Sequence, residues 1–212
     1  MGGNSVARAL RPDLVRQGIV LILLLTACLW PAPAFANAKD QHTIPFEMDS
    51  QDRIITELSF HNGVTASAII DTAATLPMIG GATARSAGLA VIPGEETFVE
   101  VLGLGGPETF PLIDLPRLGA GSVKLVEVPA ALDAKIAVSG VRNVLPMSAM
   151  TGDVVDFDFD RLQVTSYNRR PAGRMREILC KRPMVVRNGL YFVTVKINGR
   201  RGLALIDTGS TI

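Results

Sequence analysis

Two stretches of this chain read almost alike: His61 to Leu76 is HNGVTASAIIDTAATL, and Ile197 to Ile212 is INGRRGLALIDTGSTI. Seven of the sixteen aligned positions are identical, at Asn62/Asn198, Gly63/Gly199, Ala68/Ala204, Ile70/Ile206, Asp71/Asp207, Thr72/Thr208 and Thr75/Thr211. Self-similarity at a constant offset marks a duplicated structural unit, and it restricts the fold more than composition does. Each copy has the same grammar. A strand leads into Asn-Gly, the pair that most readily takes the positive φ angles of a two-residue hairpin turn. A second, small-apolar strand follows and ends abruptly at Asp-Thr. In the second copy these strands are expected over Leu190 to Ile197 and Gly202 to Ile206. Gly209 lets the backbone turn where a side chain would obstruct it, so Asp207 is expected at the tip of a loop fed by a buried strand.

Between the copies, residues Ala82 to Gly88 have helix-forming character and a glycine stop. Short strand candidates recur at Glu96 to Leu104, Thr109 to Leu115, Ser122 to Val128 and Val154 to Phe159, separated by Gly and Pro. With 48% hydrophobic and 19% charged residues the chain has the material for a packed core. Many short strands with one short helix predict an all-β lobe over 44–165. Asn168 to Arg187 carries seven Lys or Arg against one Glu, with two prolines, which reads as a solvated linker over 166–189. The opening of a second lobe then occupies 190–212.

With these residues in place, the chain resembles the retropepsin-like and pepsin-like aspartic peptidases. Ile206-Asp207-Thr208-Gly209-Ser210-Thr211 fully matches their active-site loop, and Ile70-Asp71-Thr72-Ala73-Ala74-Thr75 nearly matches it. The resemblance implies a closed β-barrel lobe with one short helix, followed by the first strand pair of a second such lobe, truncated at Ile212. It implies that Asp71 and Asp207 are the catalytic carboxylates of an endopeptidase, with Thr72 and Thr208 bonding across the lobe interface. It also implies that Ala73 and Gly209 are supporting loop residues, and that Gly103, Gly105 and Gly106 belong to a flap hairpin over substrate. Two positions depart from the family pattern. Ala73 stands where the family has Gly, so its methyl is expected to strain a backbone angle or obstruct the approach of the lobes. Pro146 stands after Val144-Leu145 where the family usually has Gly. A non-catalytic peptide-binding or assembly domain on the same fold, and an inactive fragment of a two-lobe protease, are the alternatives.

The N-terminus points outside the cytoplasm. Arg8, Arg11 and Arg16 precede an apolar run from Ile19 to Leu25, and Ala34-Phe35-Ala36 is a small-x-small cleavage pattern, so 1–36 is expected to be an export signal. Leu25-Thr26-Ala27-Cys28 resembles a lipobox, which makes a lipid anchor at Cys28 the alternative and the envelope, periplasm or secreted space the expected location. Removing three Arg and one Asp with the signal leaves 18 basic against 19 acidic residues, a balance that attracts no nucleic acid. A peptide or protein substrate is the expected partner, with a homodimer of first lobes as one way to assemble two aspartates. Asp156-x-Asp158-x-Asp160 opens like a calcium loop but has Arg161 and Tyr167 where Gly and Glu are required. No metal or cofactor is implied.

Overall fold

The computed structural model describes residues 41–92, 97–103, 106–133, 140–168 and 179–210. The expected export signal, Cys28 and Gly105 lie outside them. Fourteen strands and one short α-helix make up these residues, as expected of an all-β chain. Strands β1 (Gln41–Pro45), β10 (Val154–Asp158) and β11 (Gln163–Tyr167) form one antiparallel sheet in the order β1-β11-β10. The largest sheet runs β2-β3-β4-β9-β5-β8-β7-β6. Its members are β2 (Glu47–Met48), β3 (Ile54–Phe60), β4 (Thr65–Asp71), β5 (Met78–Gly80), β6 (Phe98–Gly103), β7 (Gly106–Ala120), β8 (Val123–Asp133) and β9 (Asn143–Pro146). A further pairing of Ser59 and Phe60 with Gly119 and Leu118 joins β3 to β7, so the succession of pairings returns on itself.

The alternation of β3 explains its place. Ile54, Thr56, Leu58 and Phe60 are buried on one side, whereas Glu57 and Ser59 are exposed, the period-2 pattern of a strand with one face on a core. Across from them Ala66 and Ala68 pair with Leu58 and Thr56. This face closes over Ile79, Ile113, Leu115, Leu118, Leu145 and Val164 in a single cluster. Helix α1 (Gly81–Ser86) ends where expected: the Gly88 N–H reaches Arg85 O, the Leu89 N–H reaches Ala84 O at 2.9 Å, and Gly88 adopts φ +66°.

The second copy of the repeat forms a separate sheet in the order β12-β13-β14, from β12 (Met184–Arg187), β13 (Leu190–Ile197) and β14 (Arg200–Leu205). Strand β12 lies within the stretch expected as linker, and β1 begins three residues ahead of the expected lobe boundary. Cross-strand pairing puts Met184, Val193 and Ala204 on one face together with Val186, Tyr191, Val195 and Gly202. The opposite face mixes Val185, Phe192 and Leu203 with Arg187, Lys196 and Arg201. Tyr191 packs on the main core, while Met184 and Val186 are exposed.

The two Asn-Gly turns differ. In β13–β14 both Asn198 (φ +50°) and Gly199 (φ +81°) are left-handed and Ile197 pairs with Arg200, which is the expected two-residue turn. In β3–β4 only Gly63 is left-handed (φ +83°), and Phe60 pairs across to Val64, leaving a three-residue loop of His61, Asn62 and Gly63. Asn62 is used otherwise there. Its side chain accepts the Val64 N–H and donates to Ser86 O at 3.1 Å, tying the turn to the end of α1.

Candidate active site

Asp71 is the last residue of β4, and two neighbours fix that strand end. Strand β9 runs parallel to β4 with Leu145 beside Ile70 and Pro146 beside Asp71. Proline is tolerated because it closes the strand and its missing N–H is not called on by a further ladder bond. Asn143 braces the same region from inside: its Oδ1 accepts the Gly80 N–H at 2.9 Å, and its Nδ2 donates to Ser67 O at 2.8 Å and Thr83 Oγ1 at 3.1 Å. One buried amide thereby joins β4, β5 and α1.

The structure brings the second repeat's loop against the first. Thr72 N–H donates to Thr208 Oγ1 and Thr208 N–H donates to Thr72 Oγ1, each at 3.1 Å. Thr72 Oγ1–H donates to Ile206 O and Thr208 Oγ1–H to Ile70 O, each at 2.7 Å. Each hydroxyl thus accepts one bond and donates one, so the exchange has local twofold symmetry and leaves neither side chain unsatisfied. Thr72 is 3% exposed, which makes these bonds costly to leave unmade. The carbonyls of Ile70 and Ile206 take part as much as the threonines do. Apolar side chains give no sequence signal for such a backbone role.

Each carboxylate is held by its own loop. Asp71 Oδ1 accepts the Ala73 N–H at 2.7 Å, and Asp207 Oδ1 accepts those of Gly209 and Ser210 at 2.9 and 3.0 Å. Asp71 is half-buried and Asp207 exposed. Burial raises the Asp71 carboxyl above its ordinary value and the nearby Asp207 charge adds to this, against the lowering effect of the Ala73 and Ala74 N–H groups.

Gly209 stands where a side chain would obstruct, as expected, whereas Ala73 does not have the part expected of it. Neither takes a left-handed φ, so Ala73 carries no backbone strain, and the loops approach closely despite its methyl. Gly209 is required for space: a Cβ there would stand 2.6 Å from Asp71 Cγ and 2.7 Å from Oδ2. Of the flap glycines, Gly103 pairs with Gly106 at the end of β6 and β7, where exposed Leu102 precedes them. The Asp156 to Asp160 alternation belongs to β10 and the turn after it, where Asp158 accepts the Arg161 N–H and pairs with its guanidinium at 3.3 Å.

Residues 57–144 match the family described as Aspartyl protease. No curated protein matches the chain. Among solved structures, a retropepsin-like aspartic protease from Rickettsia conorii is similar at 16% identity and a TM-score of 0.44, over 60% of this chain and 92% of that one.

Proposed function

We propose, on the match of residues 57–144 to the family described as Aspartyl protease, that the chain hydrolyses peptide bonds with Asp71 and Asp207 as the catalytic pair. The observation that carries this reading is the reciprocal Thr72–Thr208 exchange, which holds two aspartate-bearing loops face to face. Two carboxylates that close cannot both be ionised readily, so one proton is shared between them. The ionised member takes a proton from water as the water oxygen bonds the peptide carbonyl carbon. The protonated member gives its proton to the carbonyl oxygen; in the resulting diol the carboxyl that took the water proton then gives a proton to the nitrogen while the other takes one from a diol hydroxyl, so that the C–N bond breaks and the amine and acid leave. Because Thr208 meets Thr72 within one chain, this pairing is favoured over a dimer of two Asp71 loops. Residues 1–36 act as an export signal in this reading, so the substrates are peptides met outside the cytoplasm, under the β6–β7 hairpin as flap.

The pair titrates as a unit, and activity falls above its upper apparent pKa, where both members are ionised. The test is cleavage of a mixed peptide library by residues 37–212 across acidic to neutral pH, beside Asp71→Asn and Asp207→Asn. Loss of roughly 10³-fold or more in either variant is expected, since each removes one half of the acid–base pair. Cleavage that survives Asp71→Asn would exclude this mechanism.

A further inference from the structure

We propose that the outward face of the β12–β13–β14 sheet is a docking surface for an anionic phospholipid membrane. The near balance of charge over the whole chain conceals a polarity along it. Residues 41–168 carry sixteen Asp or Glu against seven Lys or Arg, whereas residues 179–206 carry six Lys or Arg and no acid. Such asymmetry points to an anionic partner for the basic part. The six are Lys181, Arg182, Arg187, Lys196, Arg200 and Arg201; all are exposed, and among the described residues none forms an ion pair. The sheet has one inward side, the one from which Tyr191 packs on the main core. On the other side the register sets Val185, Phe192 and Leu205 in one row across the three strands, with Leu203 beside Thr194 in the next. Val185, Leu203 and Leu205 are 38%, 42% and 39% exposed. Arg187 closes this apolar band at one end and Lys196 with Arg201 at the other, about 20 Å apart at the rise of a strand.

An aliphatic band between cations is suited to the headgroup region of a bilayer. The apolar side chains enter the boundary of the acyl chains, while the long Lys and Arg side chains lie along the surface and reach the phosphates. Attraction to an anionic leaflet fades within a Debye length, so cations on the same face as the band act most strongly. A purely acidic partner would satisfy Arg187, Lys196 and Arg201 but leave Leu203 and Leu205 in water, whereas a bilayer offers the anionic and the apolar part at one surface. Nucleic acid fits less well. The exposed apolar side chains are aliphatic, and the two rings of the sheet, Tyr191 and Phe192, are half-buried, so no exposed ring is offered for bases to stack on.

The experiment is flotation of residues 39–212, one compact unit by themselves and free of the apolar run 19–25. The vesicles are phosphatidylcholine alone, or equal parts phosphatidylcholine and phosphatidylglycerol. Binding to the anionic vesicles is expected to be at least about 10-fold stronger and to weaken as salt is added. Lys196→Gln with Arg201→Gln should weaken it roughly 30-fold, from about fivefold per cation. Leu203→Ser with Leu205→Ser should weaken it too. Arg117→Gln with Lys124→Gln, which removes two exposed cations from the first lobe, should leave it unchanged. Equal binding to both vesicles, or none, overturns the proposal. Polyglutamate bound as tightly as the vesicles, with the leucine pair making no difference, overturns it in favour of an acidic protein. Self-association without lipid that Lys196→Gln with Arg201→Gln abolishes overturns it in favour of a second copy. The two charge variants change exposed side chains, so they decide the matter even if the leucine pair unfolds the sheet. Flotation needs no turnover: missing peptide cleavage leaves this inference standing, and missing vesicle binding leaves the proposed function standing.

Discussion

At Gly209 and Gly199 the same residue type answers two different demands. Gly199 is there for a left-handed φ, whereas Gly209 is there so that backbone can lie on a carboxylate. An Asp-Thr-Gly string in a sequence does not say which demand is being met, and the expectation that Ala73 strains its backbone followed from assuming the first. The placing of Asp71 and Asp207 where their strands give way to loops was legible, because the same acid recurs at the end of the repeated apolar strand. The raised carboxyl of Asp71 also has a consequence for stability. A carboxyl raised in the folded state binds its proton more tightly there than in the unfolded chain. Its contribution is therefore full below the ordinary carboxyl range and declines as pH rises toward the raised value. Asp71→Asn should gain stability relative to the parent as pH rises through that window, when the two are unfolded with urea at pH 3 and at pH 7. A difference between them that does not change with pH would contradict the assignment of burial as the leading cause.

Among the elements, the long strands and the helix were readable from alternation and from the glycine stop after Ser86, and Leu190–Ile197 has the expected bounds. Strand β9 was not readable. It has four residues, ends in proline and has no exposed residue on either face, so no period-2 signal exists in Asn143-Val144-Leu145-Pro146. Strand β12 was masked by the Lys and Arg around it, since a basic stretch with prolines reads as solvated chain. Within β9, Asn143 ties three elements through one side chain. Asn143→Ala should cost about 2–4 kcal/mol in urea unfolding, because the Gly80 N–H and Ser67 O lose a partner inside the core. A cost below about 0.5 kcal/mol would show that other groups satisfy them.

At the scale of the whole molecule the two copies of the repeat have unequal support. Strands β3 and β4 are enclosed by the main core, whereas every residue of β12 is exposed and most of β13 is only half-buried. Opening free energy follows local burial, so amides of β12 and β13 are expected to exchange with solvent at least about 10²-fold faster than those of β3 and β4 in a native-state hydrogen-exchange experiment. Equal protection would mean that the second sheet is held by more than its contact through Tyr191 and the threonine exchange. The unequal hairpins reach further than the turns themselves. Along the outgoing strands the copies correspond at the offset of the aspartates, Ala66 to Gly202 and Ala68 to Ala204, but their cross-strand partners are Leu58 and Thr56 in one copy and Val195 and Val193 in the other. His61 is the extra residue, acting as a shim that shifts the incoming strand by one position and so by one face. An ungapped comparison of the two lobes upstream of Asn-Gly reads the inside of one as the outside of the other, matching buried Leu58 to exposed Thr194. Substitutions transferred between the lobes by such a comparison would land on the wrong side of the sheet.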